Sequence, residues 1–111
     1  MIRKTRLEKY TLFEPTGEVT YEEGATANVL WDLRSAKIAK NLSNQEIQKI
    51  LRFVESHSQT RQAGKTAIVV SQDADYGVAN IFLGYTMSFP ITVQIFRDIN
   101  EAANWITYES E

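Results

Sequence analysis

The residues whose types suit them to chemistry fall in three short clusters: Asp32, Arg34 and Ser35; Ser71, Gln72 and Tyr76; and Arg97 with Asp98. Each cluster follows or closes an apolar run, the pattern of a buried strand arriving at the rim of a sheet. In open α/β sheets, ligands sit beyond the carboxyl ends of the strands, close to helix N-termini whose free N–H groups attract anions. Two arginines on one rim could clamp a phosphate or a carboxylate. The competing reading is structural: Asp32 can neutralise Arg97, Arg34 can neutralise Asp98, and Asp98 is also placed to cap a helix.

Other chemistries find little support. The chain has no cysteine and one histidine, His57, which falls at the end of a helical stretch where a cation suits the helix dipole. No nucleophile elbow is present, and "GKT" at Gly64 to Thr66 has Gln59 where a phosphate loop needs glycine and precedes a strand instead of following one. Glu22 with Glu23, and Asp73 with Asp75, have the spacing of solvent-facing or capping carboxylates. No metal cluster, cofactor site or catalytic residue is therefore expected, and the chain reads as a non-enzyme.

Charge and composition narrow the partners. With 12 basic and 14 acidic residues the net charge is −2, without the one-sign field that nucleic acid requires. The start "MIRKTRLEKY" lacks an apolar run behind its charges, and no stretch approaches the ~18 apolar residues of a membrane span. A cytoplasmic protein without a transmembrane segment is expected, in keeping with the absence of cysteine.

The elements that must position the clusters follow from periodicity. At 111 residues the chain is one domain, 1–111. "RLEKYTLFEPTGEVTYEE" reads as two strands about a type I turn at Glu14-Pro15-Thr16-Gly17. "NVLWDL" is apolar on both alternations, the mark of a central strand covered on both faces. Ser43 and Glu46 form a capping box ahead of the stripe Ile47, Ile50, Leu51 and Val54. "KTAIVVS" is another covered strand, reached through a turn at Gly64. In the helix that follows, Asp73 or Asp75 is the expected N-cap, Val78, Ile81, Phe82 and Tyr85 the buried stripe, and Gly77 and Gly84 points of close approach to the sheet. "ITVQIF" alternates as an edge strand does, and Asp98 with Glu101 caps a last helix bearing Ile99, Ala102, Ala103 and Ile106.

The expected fold is α/β in the order β-β-β-α-β-α-β-α: a mostly parallel sheet of about five strands, opened by an antiparallel hairpin and flanked by three helices. One conflict stands inside it. Thr20 and Glu23 form a capping box with no helix body behind it, and too few residues remain before Asn28 for a parallel crossover. Either the second and third strands are not parallel neighbours, or a helix has been lost, or residues are absent there.

Phe53 and Trp105 each lie about 60° off the apolar stripe of their helix, at the margin of a core. They are the candidate interaction residues, with homodimerisation as one outcome and the strand Ile91 to Phe96 as a second association route.

Taken together, "EPTGEVTYEE", "NVLWDLRSA", "GKTAIVV", "DYGVANIF" and "ITVQIFRDINEAANWI" make the chain resemble the small bacterial STAS-like family. Its members are relatives of the anti-sigma-factor antagonists and are grouped with lipid-binding CRAL-TRIO-type domains. The resemblance covers about residues 8 to 107 and is strongest in "VLWDLR" and "FRDINEAANWI". It implies a STAS-like fold and a non-enzymatic regulatory or protein-interaction role. In relatives a full helix follows the equivalent of "VTYEE", and true antagonists carry a phosphorylated serine in an Asp-Ser-Ser-Gly-type segment. Neither feature is present here, so a phosphoserine switch does not transfer. The alternative is a carrier for a small apolar or anionic metabolite, a lipid among them, held near Arg34, Tyr76 and Arg97.

Overall fold

The strand Val29–Asp32 is apolar toward both faces and must be covered on both, and the rest of the chain is arranged to do so. The computed structural model describes residues 2–7, 9–15, 28–58 and 64–108, leaving aside the side chains of Ile2, Asn41, His57 and Ser58. Five strands form one sheet in sequential order: β1 (Ile2–Arg6), β2 (Thr11–Pro15), β3 (Val29–Asp32), β4 (Gly64–Val69) and β5 (Ile91–Phe96). The β1–β2 pair is antiparallel and every later pair is parallel. This is the mixed α/β sheet opened by a hairpin that the residue pattern predicts, with β3 at its centre and β5 at its edge.

The hairpin sits earlier in the chain than the Pro-Gly signal indicates. Its turn is closed by the Leu7 N–H donating to the Tyr10 carbonyl at 2.9 Å. Glu14 and Pro15 belong to β2 and pair with Arg3 and Ile2, while Thr16 and Gly17 lie outside the described residues. The residues between the two strands include no glycine or proline to announce a turn. Pro15 is tolerated because it ends the strand, beyond the Thr11 to Phe13 stretch that pairs with β3.

The shift removes the crossover conflict. Since β2 ends at Pro15, residues 16–28 are available to join it to its parallel neighbour β3, the dozen or so that such a connection requires. The capping box at Thr20 and Glu23 lies outside the described residues. Gly64, read as a turn, is the first residue of β4.

Four helices cover the sheet: α1 (Ile38–Asn41), α2 (Asn44–Ser58), α3 (Asp73–Thr86) and α4 (Ile99–Thr107). The single-turn α1 is not expected from the sequence, because its N-cap is Lys37, in the left-handed region at φ 51°, with no side-chain cap. On one face of the sheet Phe13, Val29, Trp31, Leu33 and Ile68 pack with Ile38 of α1 and Ala79 of α3, and Phe13 stacks on Trp31 at 4.2 Å between ring centroids. On the other face Leu30, Ala67 and Val69 meet Ala102 and Ile106 of α4. Strand periodicity of two alone sorts these residues into two cores.

Two caps form as expected. The Ser43 N–H donates to Glu46 Oε1 at 3.1 Å and the Glu46 N–H to Ser43 Oγ at 3.2 Å, the reciprocal capping box of α2. Asp98 Oδ1 accepts from the N–H groups of Asn100 and Glu101 at 2.7 and 3.1 Å to start α4. Of the expected stripes Ile47, Leu51, Val54, Ala102 and Ile106 are buried, while Ile50, Ile99 and Ala103 are half-buried.

The helix α3 departs from expectation. Its N-cap is Gln72, without a side-chain cap bond, and not Asp73 or Asp75. Its buried side runs through Asp75, Ala79 and Thr86, so Ile81 and Tyr85 are 57% and 56% exposed while Val78 and Phe82 are half-buried. Polar residues on the inner side mislead a reading by hydrophobicity: Thr86 satisfies its hydroxyl on the Leu83 carbonyl at 2.9 Å, and Asp75 reaches across to α1. Gly77 and Gly84 face open space and support no close approach. Gly77→Ala and Gly84→Ala should therefore each stabilise the protein by about 0.5–1 kcal/mol in denaturant unfolding, as expected for exposed helical glycines. A loss of stability from either would show that the glycine meets something at that point.

Candidate functional site

The strand ends bring the predicted clusters to one rim. The Leu33 N–H donates to the Val69 carbonyl and the Val70 N–H to the Phe96 carbonyl, at 2.8 and 3.0 Å, so the ends of β3, β4 and β5 stay in line beyond the strands. Asp32 closes β3, Ser71 and Gln72 follow β4, and Arg97 with Asp98 follow β5.

At this rim the charges are engaged with one another, in pairings other than those expected. Asp32 takes its own neighbour: Arg34 donates Nε to Oδ1 and Nη2 to Oδ2, both at 2.8 Å, and its backbone N–H to Oδ1 at 3.2 Å. The turn after β3 folds the guanidinium straight back onto the carboxylate, a bidentate fit closer than any residue across the rim offers. Arg97 pairs with Asp73 at 2.7 Å and lays its guanidinium over the Tyr76 ring at 4.7 Å from the centroid. Neither Asp32 with Arg97 nor Arg34 with Asp98 forms an ion pair. Asp98 and Glu14 still act on Arg34 at longer range, helping Asp32 to hold its pKa above the ordinary value. Four carboxylates thus face two guanidiniums, which opposes an anion clamp. Ser35, Ser71 and Gln72 are exposed beside them.

The interaction candidates sit at core margins, as their helical positions imply. Phe53 is half-buried on α2. Trp105 is half-buried against Phe96 at 5.6 Å, and Lys65 Nζ lies 5.3 Å from its ring centroid. The same ammonium donates to the Trp105 and Tyr108 carbonyls at 3.1 and 2.7 Å, closing the C-terminal end of α4.

A wholly apolar cavity of about 60 Å³ lies between the sheet and α1, α2 and α3, among residues such as Trp31, Ile68, Val54, Val78 and Phe82. None of the rim candidates lines it. Among the described residues no three metal-ligating side chains converge.

Two features escape sequence reasoning. Asp75 is 2% exposed, and its Oδ1 accepts the Ala39 N–H at 2.8 Å, so α3 supplies the N-terminal cap that α1 lacks. Its Oδ2 has no hydrogen-bond partner among the described residues. The 36-residue separation leaves no local signal for that contact. The second is the exposed apolar group Ile81, Tyr85 and Met87; Ile81 and Tyr85, one turn apart, are visible in the sequence but read there as core.

Asp75→Ala should lower stability by about 1 kcal/mol and speed amide exchange at Ala39, because the first turn of α1 then loses its capping acceptor. Unchanged exchange would remove the remote-cap assignment. The hydrogen bonds from Arg34 hold the Asp32 carboxyl below its ordinary pKa, against a smaller opposing effect of burial. A depressed folded-state pKa stabilises the fold above the unfolded value and is lost as pH falls through the folded one. Asp32→Asn should therefore be less stable than the wild type at neutral pH, with the gap closing below about pH 4. A gap independent of pH in paired unfolding curves would contradict this.

Compared with protein-family models, curated proteins and solved structures, the chain matches none.

Proposed function

We propose that this protein is a non-enzymatic regulatory or protein-interaction module of STAS-like type, bacterial and cytoplasmic. The resemblance in "VLWDLR" and "FRDINEAANWI" supports the family, and the mixed sheet opened by a hairpin is the fold that the resemblance implies. The observation that carries the interaction role is the exposure of large apolar side chains on and just after α3: Ile81 at 57%, Tyr85 at 56% and Met87 at 81%. Ile81 and Tyr85, one turn apart, share a face of α3, and an apolar pair on a surface suits contact with another macromolecule, for which tyrosine is a favoured anchor.

The apolar cavity speaks for the alternative, a carrier of a small apolar molecule. Its 60 Å³ is well below the roughly 300 Å³ at which metabolite-sized sites begin. The rim, with its arginines engaged by Asp32 and Asp73, gives an anionic ligand little to hold.

The test is purification from the native source with its complexes intact, followed by native mass spectrometry. Ile81→Lys/Tyr85→Lys should weaken a protein complex by roughly tenfold or more while leaving the unfolding midpoint near that of the wild type. Arg34→Ala/Arg97→Ala should leave the complex in place. A complex with a different protein that is indifferent to the α3 substitutions would overturn the reading, and a bound small molecule of defined mass, released on unfolding, would replace it with the carrier.

A further inference from the structure

The two edges of the sheet are chemically unlike. β1, at one edge, carries Arg3, Lys4 and Arg6, the charges by which natural edge strands discourage pairing with another chain. β5, at the other, reads Ile-Thr-Val-Gln-Ile-Phe: no charge, no proline and no glycine, with charge resuming only at Arg97. Its backbone directions follow from one bond. Phe96 turns its carbonyl toward β4 to accept from the Val70 N–H, and backbone groups alternate along a strand, so Ile91, Val93 and Ile95 direct theirs away from the sheet. Among the described residues no strand lies on that side.

We propose that a second copy of this chain occupies this edge, its β5 running antiparallel to the first about a two-fold axis through Val93. The proposal adds a self-association surface to the interaction-module reading and makes no use of Ile81 and Tyr85 on α3. The strand is complementary to itself in this register. Val93 faces its own copy and Ile91 faces Ile95, so β-branched side chains meet on the α3 side of the sheet, while Thr92 faces Gln94 on the other side. No like charges are opposed. β1 paired with itself would oppose arginine and lysine, and β5 paired with the β1 of another copy would run head to tail without closing. The β5 pair closes: it joins two five-stranded sheets into one and leaves only the charged β1 strands as edges.

Sedimentation equilibrium of the purified full chain over a dilution series tests this. The mass should rise from 12.7 kDa toward twice that value with concentration. In the dimer the amide protons of Ile91, Val93 and Ile95 should exchange more slowly than in the monomer. Thr92 and Gln94 are exposed, so Thr92→Lys/Gln94→Lys should keep the fold and its unfolding midpoint while placing lysines opposite lysines across the axis, and it should sediment as a monomer throughout. Mixed with the Thr92→Glu/Gln94→Glu chain, it should dimerise again. A wild type that stays monomeric overturns the proposal, as does a dimer indifferent to the lysine substitutions or one protected at residues other than Ile91, Val93 and Ile95. A different protein bound through Ile81 and Tyr85 to a monomeric chain would overturn the β5 dimer and leave the interaction reading intact.

Discussion

A central strand with no polar face is the constraint from which the rest of this structure follows. β3 directs Val29 and Trp31 to one side and Leu30 to the other, all of them buried. Burying each such side chain contributes about 1.5–3 kcal/mol, available only if both sides are covered. Among the described residues α1, α2 and α3 take the Trp31 side, and α4 takes the Leu30 side. The Phe13–Trp31 stack ties the hairpin to the side of α1, α2 and α3.

The short elements are braced from a distance. α1 spans one turn and cannot hold itself together by helix propensity. It is held by Ile38 in the core and by Asp75 on α3, which supplies an acceptor to its first turn. α4, nine residues long, is capped by Asp98 at one end and by the Lys65 ammonium at the other. Both braces join elements far apart in sequence. A single substitution at Asp75 or Lys65 therefore touches two elements at once.

The rim shows how strand geometry and function compete for the same charges. A strand that ends in Asp32 and turns back through Arg34 makes its own bidentate pair, and Arg97 finds Asp73 and the Tyr76 ring. Such pairs are individually weak where exposed, yet they occupy the groups a ligand would need. Exposed apolar side chains lie elsewhere, Ile81 and Tyr85 on α3 among them, and an edge without charge lies on β5. The places open to a partner are thus those where the protein leaves apolar surface or hydrogen-bonding capacity unmatched.

Much of this was legible without coordinates. The two-sided apolarity of "NVLW", the capping box at Ser43 and Glu46, the Asp98 cap and the alternation of "ITVQIF" depend on residues close in the chain, where the periods of strand and helix and the reach of a cap are set by covalent geometry. These residues determined the fold class, the central place of β3, the edge place of β5 and the position of the rim. Tertiary structure alone decided which side of α3 is buried, which partner Arg34 and Arg97 take, and that Asp75 caps another helix. Each of those is a choice among several chemically adequate neighbours, settled by distances between segments remote in sequence. The hairpin stands between the two: its strands are local, but a turn without glycine or proline left the position to the pairing of Ile2 with Pro15 and of Thr11 with Val29. Periodicity says that a face must be buried, and only the packed neighbours decide which face that is.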